Sequence, residues 1–257
     1  MRQFHQINCE CLGSHSPMAD AELVSMLLRF LSDLGLTDLT LKMNSLGCSE
    51  CRPKFKQALL EYLAGVDRDA LCPDCARRVE TTPLRVLDCK QPGCRAITDN
   101  APKLIDYNCP ECRAHFDTVL ELLQGQALAF ELDHRLVRGL DYYTKTAFEI
   151  QYAPLGAQSA VCGGGRYDGL IEEIGGPATP GIGFAMGMER VLLAIESQNL
   201  LPQFDNSIDV FVVCPGSANF TLAFKEAIAL RREGLKVEFD FLGRSMKAQM
   251  KQLTAHK

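Results

Sequence analysis

Leu136-Val137-Arg138-Gly139-Leu140-Asp141-Tyr142-Tyr143-Thr144-Lys145-Thr146-Ala147-Phe148-Glu149 is the stretch on which the reading of this chain turns. Arg138 next to Gly139 is a cation beside a point where backbone can approach a ligand closely. Two adjacent tyrosines can wall a pocket and still offer hydroxyls. Two further segments share this character. Cys162-Gly163-Gly164-Gly165-Arg166-Tyr167-Asp168-Gly169-Leu170 sets a triple glycine beside an arginine. Gly181-Ile182-Gly183-Phe184-Ala185-Met186-Gly187-Met188-Glu189-Arg190 leads into a helix whose apolar positions continue through Val191, Leu192 and Ile195. Arg190 falls in the first turn of that helix, where the dipole disfavours a cation, which suggests a task such as gripping phosphate oxygens. Each arginine taken singly reads more readily as a surface ion pair. Together they point to an anionic substrate.

Outward from these segments the chain alternates patterned and irregular stretches. Arg2 to Glu10 alternates in part like a strand, with no partner strand before it. That opening predicts that Met1 is an internal methionine and the chain a piece of a longer protein. Leu23, Met26, Leu27, Phe30, Leu31 and Leu34 form one apolar stripe, predicting a helix from Asp20 to Leu34 with Asp20 as N-cap and Gly35 as stop. Leu39 to Met43 reads as a short strand and Arg52 to Leu63 as a helix. Leu200 to Asn206 reads as a linker. Beyond it a buried strand (Ile208 to Cys214), a helix (about Ser217 to Glu233, stopped by Gly234) and a strand (Lys236 to Phe241) form a β-α-β order, which predicts parallel strands in a small α/β domain. The pattern predicts that Lys257 falls within the next helix, before that sheet is complete.

The 257 residues are 47% hydrophobic and 23% charged, ordinary globular composition, and the formal charge of −5 leaves any nucleic acid to be held by local patches. There is no membrane-length apolar run and no signal-peptide pattern, so the expected location is the cytoplasm. Twelve cysteines are many for that compartment. Eight fall into close pairs, Cys48/Cys51, Cys72/Cys75, Cys89/Cys94 and Cys109/Cys112, three of them C-x-x-C. Two such pairs complete a closed tetrahedral thiolate shell, so structural zinc is expected. Buried thiols without metal, or an iron–sulfur cluster, are the alternatives. One or two ions are both compatible, and spacing does not say which pairs share an ion. The segment has few large apolar residues, which predicts little core of its own and dependence on metal. Cys9, Cys11, Cys162 and Cys214 are isolated and read as buried neutral thiols.

The Arg138–Tyr143 stretch resembles the histidine-specific motif of histidyl-tRNA synthetases. Cys162 to Leu170 resembles that family's second histidine motif, Gly181 to Arg190 resembles class II synthetase motif 3, and Arg2 to Glu10 the second strand of motif 2. The resemblance implies an α+β fold. Residues 1–47 and 126–200 would form an antiparallel catalytic core, 48–125 a Cys-rich insertion, and 207–257 part of an α/β anticodon-binding domain. It implies ATP-dependent activation of histidine and transfer to tRNA(His), with Mg²⁺, by a homodimer. Gln6 would contact the histidine amino group, and Glu10 would accept from the imidazole with help from Tyr143. Tyr142 would line the pocket. Arg138 would hold the α-phosphate and the histidine carboxylate, the catalytic role, and Arg2 and Arg190 would bind ATP. Motif 1, with its dimer interface, and the first strand of motif 2 have no counterpart, which implies that this piece alone is inactive. A synthetase-like regulatory subunit of ATP phosphoribosyltransferase is the rival reading, disfavoured by the β-α-β start after Ile208. A zinc-ribbon nucleic-acid module would leave the three motifs unexplained.

Overall fold

The computed structural model describes residues 3–137, 142–203, 207–214 and 216–255, in two compact units, Met1–Leu201 and Pro202–Lys257. The first unit runs β1 (Gln6–Leu12), α1 (Pro17–Asp33), β2 (Leu39–Ser45), α2 (Cys51–Ala64), α3 (Pro73–Thr81), α4 (Leu84–Leu87), α5 (Pro92–Thr98), α6 (Pro110–Gly125), β3 (Glu131–Leu132), β4 (Thr144–Tyr152), β5 (Ala160–Arg166), α7 (Leu170–Glu173), β6 (Gly181–Gly187) and α8 (Met188–Ser197). Its strands form one sheet in the order β1-β6-β5-β4-β2-β3, antiparallel throughout except for the parallel β2/β3 pair. The antiparallel α+β core expected from the sequence is therefore present. Among the described residues no helix is long and apolar enough to cross a membrane.

The pleat sends alternate residues to opposite faces of the sheet. On one face Met43, Phe148, Ile150, Cys162, Ile182, Phe184 and Met186 pack against Leu23, Val24, Leu27 and Leu31 of α1, Phe116, Val119 and Leu123 of α6, and Val191 and Ala194 of α8. Each fully buried Leu or Phe here contributes about 1.5–3 kcal/mol. Gly164 belongs to this face and makes room for it: a Cβ there would run into Gly183 O and come within 2.7 Å of the Phe148 ring.

Helix α1 departs from expectation at its start. Ser16 is the N-cap, its hydroxyl accepting the Met18 N–H at 3.2 Å, and Pro17 takes the first helical position. Asp20 does not cap. It is completely buried, paired with Arg166 and with His115 Nε2 at 2.9 Å. The expected apolar stripe is wider than the surface that covers it: Leu23, Leu27 and Leu31 are buried, while Met26, Phe30 and Leu34 stay 45%, 42% and 38% exposed.

The Cys-rich stretch has more core than its composition suggested. Phe55, Leu59, Leu63, Leu71, Val79, Val86, Leu87 and Leu104 cluster with Cys75, Cys89 and Cys94 and with Tyr143, Ala147 and Tyr167. α2 contributes Phe55, Leu59 and Leu63, and α3 and α4 add Val79, Val86 and Leu87, so the apolar residues are spread thinly along the sequence.

The second unit contains β7 (Val210–Val212), α9 (Phe220–Arg232), β8 (Val237–Phe239) and α10 (Met246–Ala255). β7 and β8 are parallel, as the β-α-β order predicts, with Val210 opposite Val237 and Val212 opposite Phe239. β7 is half-buried rather than buried, because the apolar cluster it packs on among the described residues is small, Ala227, Val237 and Phe239 with partly covered neighbours such as Phe220 and Leu230. The expected helix start is instead a 3₁₀ turn, Ser217–Asn219. α9 stops at Gly234, whose φ is 87°.

Candidate active site and cysteine quartets

The sheet face opposite the helices carries the candidate pocket, and its floor is made of small residues. Register places Glu10 of β1 opposite Gly183 of β6, Gly183 opposite Gly165 of β5, and Gly165 opposite Ala147 of β4. The neighbouring row runs Asn8, Ala185, Gly163, Glu149. The Gly163-Gly164-Gly165 run thus has two functions set by the pleat. Gly164 accommodates phenylalanines on the core side, and Gly163 and Gly165 keep the other side low. Gly183 is equally constrained, because a Cβ there would coincide with the Glu10 carboxylate.

Over this floor stand Glu10 and three tyrosines. Tyr167 follows β5 and donates its hydroxyl to Glu10 Oε2. Burial, then the Glu10 carboxylate, push the Tyr167 phenol well above the usual tyrosine range, so it remains a proton donor. Tyr143 lies against Gly165, where a Cβ would meet its ring at 2.9 Å. Tyr142 packs against Tyr143 with centroids 4.8 Å apart and ring planes tilted by 49°, and meets Tyr167 edge-on at 6.3 Å. Glu10, Tyr142 and Tyr143, singled out in the sequence, are therefore brought together. Tyr167 belongs to the second, glycine-rich motif. Spacing does not reveal that it crosses from the end of β5 to Glu10, 157 residues away in the chain.

A cleft of about 420 Å³ adjoins the β1/β6/β5 end of this face, lined by Gln3, Phe4, Gln6, Gly163, Ala185 and Arg190 among others. Gln6 and Arg190 thus share one cleft. Arg190 is the third residue of α8, in the dipole-disfavoured first turn, and its Nε donates to Ala160 O. The start of β1 is tied to the same helix: His5 Nδ1 lies 2.7 Å from Glu189, and the Met188 N–H donates to His5 O at 2.9 Å. Arg138 and Arg2 lie outside the described residues.

Arg166 does not face a ligand. It is completely buried, paired with Asp20 and, at 2.9 Å, with Asp168, and it donates to Ser14 O at 2.8 Å and Ser16 O at 3.3 Å. With its donors committed to α1 and the loop before it, this arginine holds α1 to the end of β5. Burial opposes the charge on Asp20, but the hydrogen bonds from His115 and Arg166 outweigh it and leave the carboxyl below the usual range.

The eight paired cysteines assemble into two quartets, Cys48/Cys51/Cys109/Cys112 and Cys72/Cys75/Cys89/Cys94, with the sulfurs of each within 4.8 Å of one another. Cys48 Sγ lies 3.5 Å from Cys51 Sγ and 4.0 Å from Cys109 Sγ, and Cys72 Sγ lies 3.9 Å from Cys89 Sγ. A zinc–sulfur bond of about 2.3 Å puts tetrahedral sulfurs about 3.8 Å apart, so each quartet fits a single ion. An iron–sulfur cluster interposes sulfides and spreads its thiolates further. One thiol per quartet is poised low. At Cys48 burial is outweighed by the Glu50 and Cys51 backbone N–H groups, and at Cys72 the Cys75 N–H dominates, bringing each to about 7. Burial and the neighbouring sulfurs push Cys75 and Cys112 up.

The histidyl-tRNA synthetase family profile matches residues 1–191. The chain is 53% identical over 252 residues to a histidine–tRNA ligase of Nitratidesulfovibrio vulgaris, covering 98% of this chain and 59% of that protein. It is also 53% identical to the histidine–tRNA ligase of Maridesulfovibrio salexigens, covering 98% and 60% respectively. The crystal structure of apo S. aureus histidyl-tRNA synthetase superposes with a TM-score of 0.75 at 36% identity, covering 99% of this chain and 63% of that one. The chain thus spans about three-fifths of the length of the curated relatives it matches, as the 59% and 60% coverages record.

Proposed function

Since this chain belongs to the histidyl-tRNA synthetase family, we propose that the pocket over the glycine floor binds the imidazole of histidine and that the adjoining cleft binds ATP. The observation that carries the reading is the Tyr167–Glu10 hydrogen bond beside Tyr142 and Tyr143. Tyr167 holds one carboxylate oxygen of Glu10 and leaves the other to accept an imidazole N–H, while the aromatic rings bound the space sideways. A pocket with a fixed acceptor rejects side chains lacking a donor, because the carboxylate would be left unpaired.

In the proposed reaction a carboxylate oxygen of histidine attacks the α-phosphorus of ATP. The new C–O–P linkage forms as the bond to the β-phosphate oxygen breaks, and pyrophosphate leaves with that electron pair. A ribose hydroxyl at the end of tRNA(His) then attacks the carbonyl, and AMP departs. Gln6 is assigned to the histidine amino group, Arg138 to the α-phosphate and histidine carboxylate, and Arg2 and Arg190 to ATP. Fixed guanidinium groups stabilise charge developing at the phosphate without reorganising. Mg²⁺, when bound with ATP, supplies further neutralisation of the phosphate oxygens. We place this activity in the cytoplasm. The names of the relatives support the ligase reading over a regulatory subunit of ATP phosphoribosyltransferase. The test is exchange of labelled pyrophosphate into ATP by the chain extended to the full length of its relatives: histidine-dependent exchange is expected, and no exchange, or exchange supported equally by glutamine, overturns the reading.

We further infer that each cysteine quartet holds a zinc ion. An all-thiolate shell leaves no open position for substrate, so zinc there cross-links the chain. Elemental analysis should find two zinc ions per chain.

A further inference from the structure

The two quartets occupy different places in the fold. Cys72, Cys75, Cys89 and Cys94 all lie inside the Cys-rich stretch, from the start of α3 to α5. Cys48 and Cys51 instead follow β2 directly, and Cys109 and Cys112 open α6. The first quartet therefore joins the two ends of the stretch where both leave the sheet.

Both ends also grip one residue of β4. Lys145 is 9% exposed and sits in the left-handed region at φ 47°. A lysine gains nothing from that conformation and keeps it only where its surroundings impose it. Here they do. The Leu46 N–H donates to Lys145 O at 2.6 Å, and the Lys145 N–H donates to Gly47 O at 2.7 Å. Gly47 precedes the ligand Cys48. The Lys145 ammonium donates to Glu111 at 2.8 Å, and Glu111 lies between the ligands Cys109 and Cys112. Asn108, adjacent to Cys109, donates to Ser45 Oγ at 2.7 Å and closes the ring of contacts. The β4/β5 register shifts between Thr144 and Ala147, so on the β5 side Lys145 has no partner in the ladder, and its backbone bonds run to Leu46 and Gly47 on the β2 side, next to the Ser45–Thr146 pair. Tyr143 lies two residues before Lys145.

We propose that the metal at Cys48, Cys51, Cys109 and Cys112 positions the Tyr142–Tyr143 segment of the histidine pocket, with Lys145 as the positioning residue through which it acts. The metal at the other quartet only stabilises the insertion. This rests on the zinc reading above. Metal at the first quartet fixes Gly47 and Glu111 relative to each other, and Lys145 spans the gap between them. Without it the two ends of the insertion separate and the left-handed turn at Lys145 relaxes. The tyrosines then lose their fixed approach to Gly165 and Tyr167.

The full chain, purified with zinc present, is tested by native mass spectrometry for metal and by amide hydrogen exchange for local order. The parent should carry two ions. Cys112→Ser should keep one ion and exchange residues 142–147 faster by on the order of tenfold or more, and Cys75→Ser should keep one ion and leave those amides within about twofold of the parent. Lys145→Met should keep both ions, expose 142–147 to the same faster exchange, and change the near-ultraviolet circular dichroism of the tyrosines. This variant also decides the matter should Cys112→Ser fail to fold. A parent without metal overturns the zinc reading and this inference with it. A two-ion parent in which Cys112→Ser and Cys75→Ser affect 142–147 alike, or in which Lys145→Met leaves them protected, overturns the positioning role alone.

Discussion

At the scale of single residues, two contacts, one partly exposed and one buried, separate binding from support. Tyr167 donates to Glu10 in the proposed pocket, whereas Arg166, its neighbour in sequence, is enclosed by Asp20 and Asp168. Loss of a hydrogen bond to a charged group costs about 1.5–3 kcal/mol. Tyr167→Phe should therefore weaken histidine binding roughly tenfold or more and leave ATP binding unchanged, as titration calorimetry with each substrate would show. Equal losses for both would point to a folding defect. Removing one partner of a buried ion pair costs about 3–5 kcal/mol, because the other charge is stranded. Arg166→Met should accordingly lower the stability measured by denaturant unfolding by about that much. The Asp20 carboxyl lies below its ordinary 3.8 in the folded protein. Its contribution is thus present above that value and is lost as pH falls through the lowered one. In the Arg166→Met variant this acid-side loss should shrink. The sequence displayed Arg166 and Asp20 but not their pairing, since 146 positions separate them. A helix-start pattern and a glycine-rich turn offered each a local role that tertiary structure overrode.

At the scale of elements, the sheet explains why the second and third motifs carry so many glycines. The helix after motif 3 and the parallel β-α-β unit were legible because apolar patterns report burial directly, whereas the antiparallel core was implied by the family resemblance of the motifs. The start of α1 was legible in principle, since Ser16-Pro17 is a stronger start signal than Asp20. What pattern could not give is which face each glycine serves, because that depends on register with strands far along the chain. The assignment is testable. Gly164→Ala puts a methyl group into Gly183 O and the Phe148 ring. It should destabilise the protein by about 1–3 kcal/mol, read as a lowered unfolding midpoint, since the backbone of β6 must move. Gly183→Ala meets the Glu10 carboxylate first, and then Cys9 O at 2.8 Å. It should impair histidine binding as severely as a change of Glu10 itself. A Gly183→Ala protein that binds histidine normally would mean that Glu10 is not held where the register puts it.

At the scale of the molecule, a strand-built pocket, a Cys-rich stretch with two thiolate quartets and a separate α/β unit occur in one chain that spans 59% of its N. vulgaris relative. The cysteine pairs were plain in the sequence. Their sorting into two quartets was not, because the first quartet joins residues 61 positions apart, Cys48 and Cys109, that meet only once the intervening helices have packed. The central claim is that Glu10, Tyr142, Tyr143 and Tyr167 form a pocket for imidazole. Titration calorimetry with a non-hydrolysable histidyl-adenylate analogue tests it most directly, with the tyrosyl and alanyl analogues as controls and Glu10→Gln in parallel. The account predicts one-to-one binding of the histidyl analogue, at least about a hundredfold tighter than either control, with most of that preference lost in Glu10→Gln. Absence of binding, or equal affinity for the three analogues, would contradict it.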